Sequence, residues 1–125
     1  MKFDSEAALI IWSIKPEATA DFEKVMAAIK ARLSASDNPD VKALNDSMKL
    51  FKAAVAPAAG QPVSYIQRID PASKKLSYHP QFLLYFAKKA DGTSTIFERA
   101  EADELYGMLG KAIVNLNPLP LAPVQ

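Results

Sequence analysis

The stretch that most narrows what this chain can fold into is Ala7–Ile14, AALIIWSI, in which Ser13 is the only polar residue. Successive side chains of a strand point to opposite faces. One face then carries Ala8, Ile10, Trp12 and Ile14, and the other Ala7, Leu9, Ile11 and Ser13. Both faces are apolar, so a strand here asks for cover on two sides. Lys15-Pro16 ends it, because proline has no N–H to give a ladder.

A helix is predicted directly after. Thr19 reads as its N-cap, with Asp21 and Glu23 where the helix dipole favours negative charge. Phe22, Val25, Met26, Ile29 and Leu33 recur at the spacing of one helical face, while Lys24, Lys30 and Arg32 fall on the polar side or near the end. That apolar stripe is expected to pack on the chain's own sheet.

Beyond Leu33 the polar connection SASDNPDVKALND has room for a short helical turn at Val41–Asn45. Ser47–Ala56 and Val63–Asp70 flank the turn-rich PAAGQP, and Val63, Tyr65, Ile66 and Ile69 give the second run a strand-like composition. They are read as two antiparallel strands. After a loop at Asp70–Tyr78, residues 79–99 admit two readings. Pro80 suits the first turn of a helix with Phe82, Leu83, Phe86 and Ala87 on one face, whereas Asp91-Gly92 between apolar runs is a hairpin signal. Helix is favoured, because a second helical piece, Ala100–Lys111, follows with Leu105, Met108, Leu109 and Ala112 aligned. Gly107 and Gly110 weaken that piece.

The tail begins as a strand, AIVNLN, with Val114 and Leu116 expected to face one way. Pro118, Pro120 and Pro123 are expected to end the pairing and leave an extended arm, so that the strand sits at a sheet edge or the arm lies across another surface.

This order, strand-helix-strand-strand-helix-strand, predicts an α+β, ferredoxin-like βαββαβ domain with a four-stranded antiparallel sheet and both helices on one face. At 125 residues, 1–125 forms a single domain, with 113–125 as last strand and proline-rich tail. The second apolar face of the first strand then calls for a partner sheet, packed through a two-fold axis. Each large apolar side chain buried there is worth roughly 1.5–3 kcal/mol, so a homodimer is expected.

Half of the residues are apolar and the formal net charge is +1, which gives no electrostatic footprint for nucleic acid or an anionic membrane. No run approaches the roughly 18 apolar residues of a membrane span. The N-terminal MKFDSEAA lacks the apolar core of a secretory signal. Cytoplasmic residence is therefore the default expectation, with export open if a signal was trimmed. With no cysteine and one histidine, thiolate sites, a cysteine nucleophile and a multi-histidine metal site within one protomer are excluded. No metal or other cofactor is expected.

Chemistry has few candidates. His79, the only histidine, is the weak candidate for a general base or haem ligand, set against a capping or surface role beside Pro80. Trp12, Tyr65, Tyr78, Phe82 and Tyr106 are the candidate lining of a pocket between sheet and helices, with core packing as the plainer role of each. Arg68 beside Tyr65 and Gln67 has the chemistry to hold an anion, although an exposed arginine is the default. The serines lack a GxSxG context and a paired histidine, and the scattered glycines form no phosphate loop.

The segments ALIIWSIKPEATADFEKVMAAIKARL, MKLFKAA, VSYIQRIDP and AIVNL resemble the dimeric α/β-barrel superfamily of ferredoxin-like domains. More narrowly, they are similar to small bacterial proteins of that type with no assigned function. The resemblance implies a homodimer with a pocket between each sheet and its helices. It also implies a range of activities, among them cofactor-free monooxygenases, haem-degrading enzymes and lactone isomerases, none of whose site motifs is matched here. The reading is a homodimeric domain that binds a small apolar ligand between sheet and helices. A cofactor-independent monooxygenase or isomerase and a purely structural dimer stand as alternatives.

Overall fold

The computed structural model describes residues 1–124. Four strands form one antiparallel sheet: β1 (Ala7–Ile14), β2 (Met48–Lys52), β3 (Val63–Ile69) and β4 (Ile113–Leu121), in the order β2-β3-β1-β4. Helices α1 (Thr19–Ser34) and α2 (Pro39–Asp46) separate β1 from β2, and α3 (Pro80–Tyr85) and α4 (Arg99–Ala112) separate β3 from β4. The architecture is α+β and compatible with a ferredoxin-like fold, to which α2 and α3 are additions. No helix is long and apolar enough to cross a membrane, among the described residues.

β1 owes its central place to its composition. Ala8, Ile10, Trp12 and Ile14 are completely or almost completely buried on the helix side, together with Val63, Tyr65 and Ile69 of β3. Against them lie Phe22, Val25, Ile29 and Leu33 of α1, and Ala102, Leu105, Leu109 and Ala112 of α4. The Phe22 ring is inserted between Trp12 and Tyr65, with centroid distances of 5.4 and 4.7 Å, in the tilted geometry aromatic pairs prefer.

The other side of the sheet is left to solvent. Leu9 and Ile11 are half-buried there, while Phe51, Ile66 and Leu119 are 45, 38 and 46% exposed. The register sets Phe51 opposite Ile66 and Ile66 opposite Ile11, with Leu9 opposite Leu119. The chain thus covers one face of β1 and leaves an apolar band on the other.

Three expectations need correction. Thr19 does not cap α1: a tight turn at Pro16–Ala18 comes first, Ala18 holds the cap position without a side-chain hydrogen bond, and Thr19 is already helical. Pro16 fixes φ one turn early, and the Ala18 N–H closes that turn on the Lys15 carbonyl at 3.0 Å. The prolines of the tail do not end the pairing: β4 runs on to Leu121, with Pro118 opposite Ile10 and Pro120 opposite Ala8. Spaced two apart on an edge strand, both prolines occupy positions whose N–H would point away from β1, so no ladder bond is lost. Val114 and Leu116 do not face one way either. The register shifts at Ser13/Ile14, leaving Val114 as an extra residue, so that Ile113 and Leu116 pack toward the core and Val114 is 53% exposed.

Residues 79–99 use both signals read in them. Pro80 opens α3, and Asp91-Gly92 then makes a tight turn with Gly92 at φ +77°, spanned by a single bridge between Lys88 and Thr95. Asp91 organises this turn: its carboxylate accepts from the N–H of Thr93 and of Ser94, both at 2.8 Å, which holds its pKa well below the usual carboxylate range.

Candidate functional site

A cavity of about 270 Å³ lies between the sheet and α1. Trp12, Gln67, Met48 and Leu50 form its sheet side; Glu23, Met26, Ala27 and Lys30 of α1 form the opposite wall. Asn45 of α2 closes one flank, and Tyr78, Pro80 and Leu83 close the end near α3. The alternation of β1 and β3 aims Trp12 and Gln67 inward, and the three-and-four spacing of α1 brings Glu23, Met26, Ala27 and Lys30 to one side.

Most polar groups of the wall are already engaged. The Trp12 indole N–H donates to Gln67 Oε1 at 3.3 Å, and the Gln67 amide donates to Met48 Sδ at 2.9 Å. The Tyr78 hydroxyl accepts from the Ser73 N–H at 2.8 Å and donates to Ser47 Oγ at 2.8 Å, since Ser47 donates in turn to the Leu44 carbonyl at 2.6 Å. At the rim, Glu23 accepts from the Tyr65 hydroxyl at 2.5 Å and has Lys52 Nζ at 3.8 Å. Burial, then the Glu23 hydrogen bond, raises the Tyr65 pKa, so this phenol stays protonated and donates.

Asn45 differs. It is 3% exposed, and its Oδ1 has no hydrogen-bond partner among the described residues.

Of the aromatics read as pocket lining, Trp12 and Tyr78 wall this cavity. Tyr65 is buried beneath Phe22 and reaches the rim only through Glu23. Phe82 stacks on Phe86 at 6.5 Å, and Tyr106 meets Tyr85 edge-on at 5.7 Å. Tyr106 lines a separate, more open depression with Tyr85, Phe86 and Arg99.

His79 is outside both. It occupies the N-cap of α3, where Nδ1 accepts from the Gln81 N–H at 3.0 Å. Burial first, and the N-terminal ammonium second, lower its pKa, keeping the ring neutral and able to accept. Arg68 lies on the uncovered face of β3, opposite Leu9 and Lys49. No group of three or more metal-ligating side chains exists among the described residues.

Among the lining residues that sequence reasoning passed over are Asn45, Met48 and Gln67. Asn45 had one available signal: Val41, Leu44 and Asn45 are the buried residues of α2, so an amide stands in the apolar stripe of an eight-residue helix.

Compared with known proteins, the chain matches no protein-family model, no curated protein and no solved structure. The functional reading therefore stands on geometry.

Proposed function

We propose that this chain is a homodimeric, ferredoxin-like binding domain that takes a small, largely apolar molecule into the cavity between sheet and helices. The observation that carries this reading is the cavity itself, about 270 Å³ with Trp12, Met26, Met48, Leu50 and Leu83 in its walls. A dry cavity of about 150 Å³ accepts benzene, so this one suits a compound of one or two rings. Ligand sites are typically mainly apolar clefts with a few convergent polar groups, and Asn45 supplies such a group. Catalysis by His79 finds no support in this geometry, because its Nδ1 is spent on a helix cap and the residue is not part of the cavity wall.

The homodimer rests on the band formed by Leu9, Ile11, Phe51, Ile66 and Leu119, which a second copy of the same sheet would bury. It accords with the resemblance to dimeric α/β-barrel domains.

Trp12 gives the test its signal, since it is the only tryptophan and it lines the cavity. Titrating naphthalene should shift the Trp12 indole resonance saturably. Ala27→Phe, which fills the mouth from an exposed helical position, should weaken that binding at least tenfold while leaving the rest of the spectrum in place. A Trp12 signal in the wild-type protein that neither naphthalene nor its hydroxylated analogue 2-naphthol moves overturns the reading.

A further inference from the structure

We infer that Asn45 is the polar anchor of the cavity, and that its ligand is an uncharged aromatic compound carrying one hydroxyl group. The inference rests on the cavity being a binding site and adds the chemistry of what it holds. Nearly all buried polar atoms in folded proteins have a hydrogen-bond partner, so each exception calls for an explanation. Asn45 Oδ1 is the only buried side-chain nitrogen or oxygen without one among the described residues, and Asn45 lines the cavity. Elsewhere on the wall the same requirement is met. Gln67 is engaged by Trp12 and Met48, and the Tyr78 hydroxyl by Ser73 and Ser47.

What remains on offer is the Asn45 side-chain amide, whose Oδ1 has no partner and whose Nδ2 makes no hydrogen bond either among the described residues, in a mainly apolar space. A ligand hydroxyl, which can give to Oδ1 or accept from Nδ2, satisfies it, and a plain hydrocarbon does not. A cationic donor does not suit the site. The one acid among the lining residues, Glu23, has a side chain 53% exposed, already accepts from Tyr65 and faces Lys52. A buried cation would lack a counter-charge. The indole of Trp12, the thioethers of Met26 and Met48 and the side chain of Leu83 complete a lining suited to a flat ring.

The discriminating pair is 2-naphthol and naphthalene, alike in shape and different by one donor. Both are titrated against wild-type protein and Asn45→Leu, following the Trp12 indole resonance. Naphthalene is the more apolar of the two, so burial alone favours it. The expected result is that wild-type protein binds 2-naphthol about five- to tenfold more tightly than naphthalene, the size of one net hydrogen bond. In Asn45→Leu that preference should fall to within about twofold, with naphthalene still bound. The same variant should melt roughly 3–6 °C higher without ligand, because the unpaired group is gone. If Asn45→Leu fails to fold, Asn45→Ala carries the same comparison of ligands. Equal binding of both compounds by the wild-type protein, or a preference that survives the substitution, overturns the anchor and leaves the cavity reading standing. Binding of neither compound overturns both.

Discussion

His79 shows how one residue can look chemical in a sequence and prove structural in place. Its Nδ1 accepts the Gln81 N–H, which requires the neutral ring. Its pKa in the folded chain is below the ordinary 6.5. Protonation therefore favours the unfolded chain: this contribution to stability is complete above 6.5 and is lost as pH falls below it toward the folded value. Chemical denaturation at pH 7.5 and 5.5 should show a loss that shrinks in His79→Asn, since asparagine caps without titrating in this range. An unchanged loss would assign the pH dependence to other groups. The candidate site was partly legible at this scale. Trp12 and Tyr78 are large amphipathic aromatics, whose placement at a cavity wall follows from burying a ring while satisfying one polar atom. Asn45 was legible only through its spacing from Val41 and Leu44, one turn of pattern, which is too short to tell a buried amide from a solvent-facing one until tertiary contacts show which side is covered. Tyr106 falls elsewhere because it packs edge-on against Tyr85 of α3, and Phe82 because it stacks on Phe86 at the end of its own helix.

Among the elements, β1 and α1 were the most legible, since β1 is a nearly continuous apolar run bounded by Lys15-Pro16 and α1 a long stripe at the 3.6-residue period. β4 was the least. Its prolines suggested a break, and only the pairing partner reveals that Pro118 and Pro120 leave the β1 ladder whole. The same prolines blunt the outer edge against another strand. α4 keeps two exposed glycines, Gly107 and Gly110, and a Cβ at either meets nothing within 4 Å. Gly107→Ala and Gly110→Ala should each stabilise the fold by about 0.5–1 kcal/mol, through helix propensity and reduced freedom of the unfolded chain. Urea unfolding measures this, and destabilisation by either would mean that α4 is packed more tightly than its surroundings indicate.

For the whole molecule, the decisive asymmetry is between the two faces of the sheet. The helix face holds Ile10 at 0% exposure, so a charge there should abolish folding. The uncovered face holds Ile66 at 38%, so Ile66→Lys should leave the fold intact and shift a dimer toward monomer. Sedimentation velocity with circular dichroism separates the two outcomes. A dimer unaffected by Ile66→Lys would place the interface elsewhere. The cavity and the uncovered face lie on opposite sides of the sheet, so ligand binding and assembly should be separable by substitution. The account turns on whether the cavity is occupied by a small molecule in its natural setting. Native mass spectrometry of the protein purified from its own host tests that most directly. The expected spectrum shows twice the 13.6 kDa chain mass plus a retained compound of one or two rings, displaced in Ala27→Phe. A bare monomer that acquires no added 2-naphthol or naphthalene would contradict it.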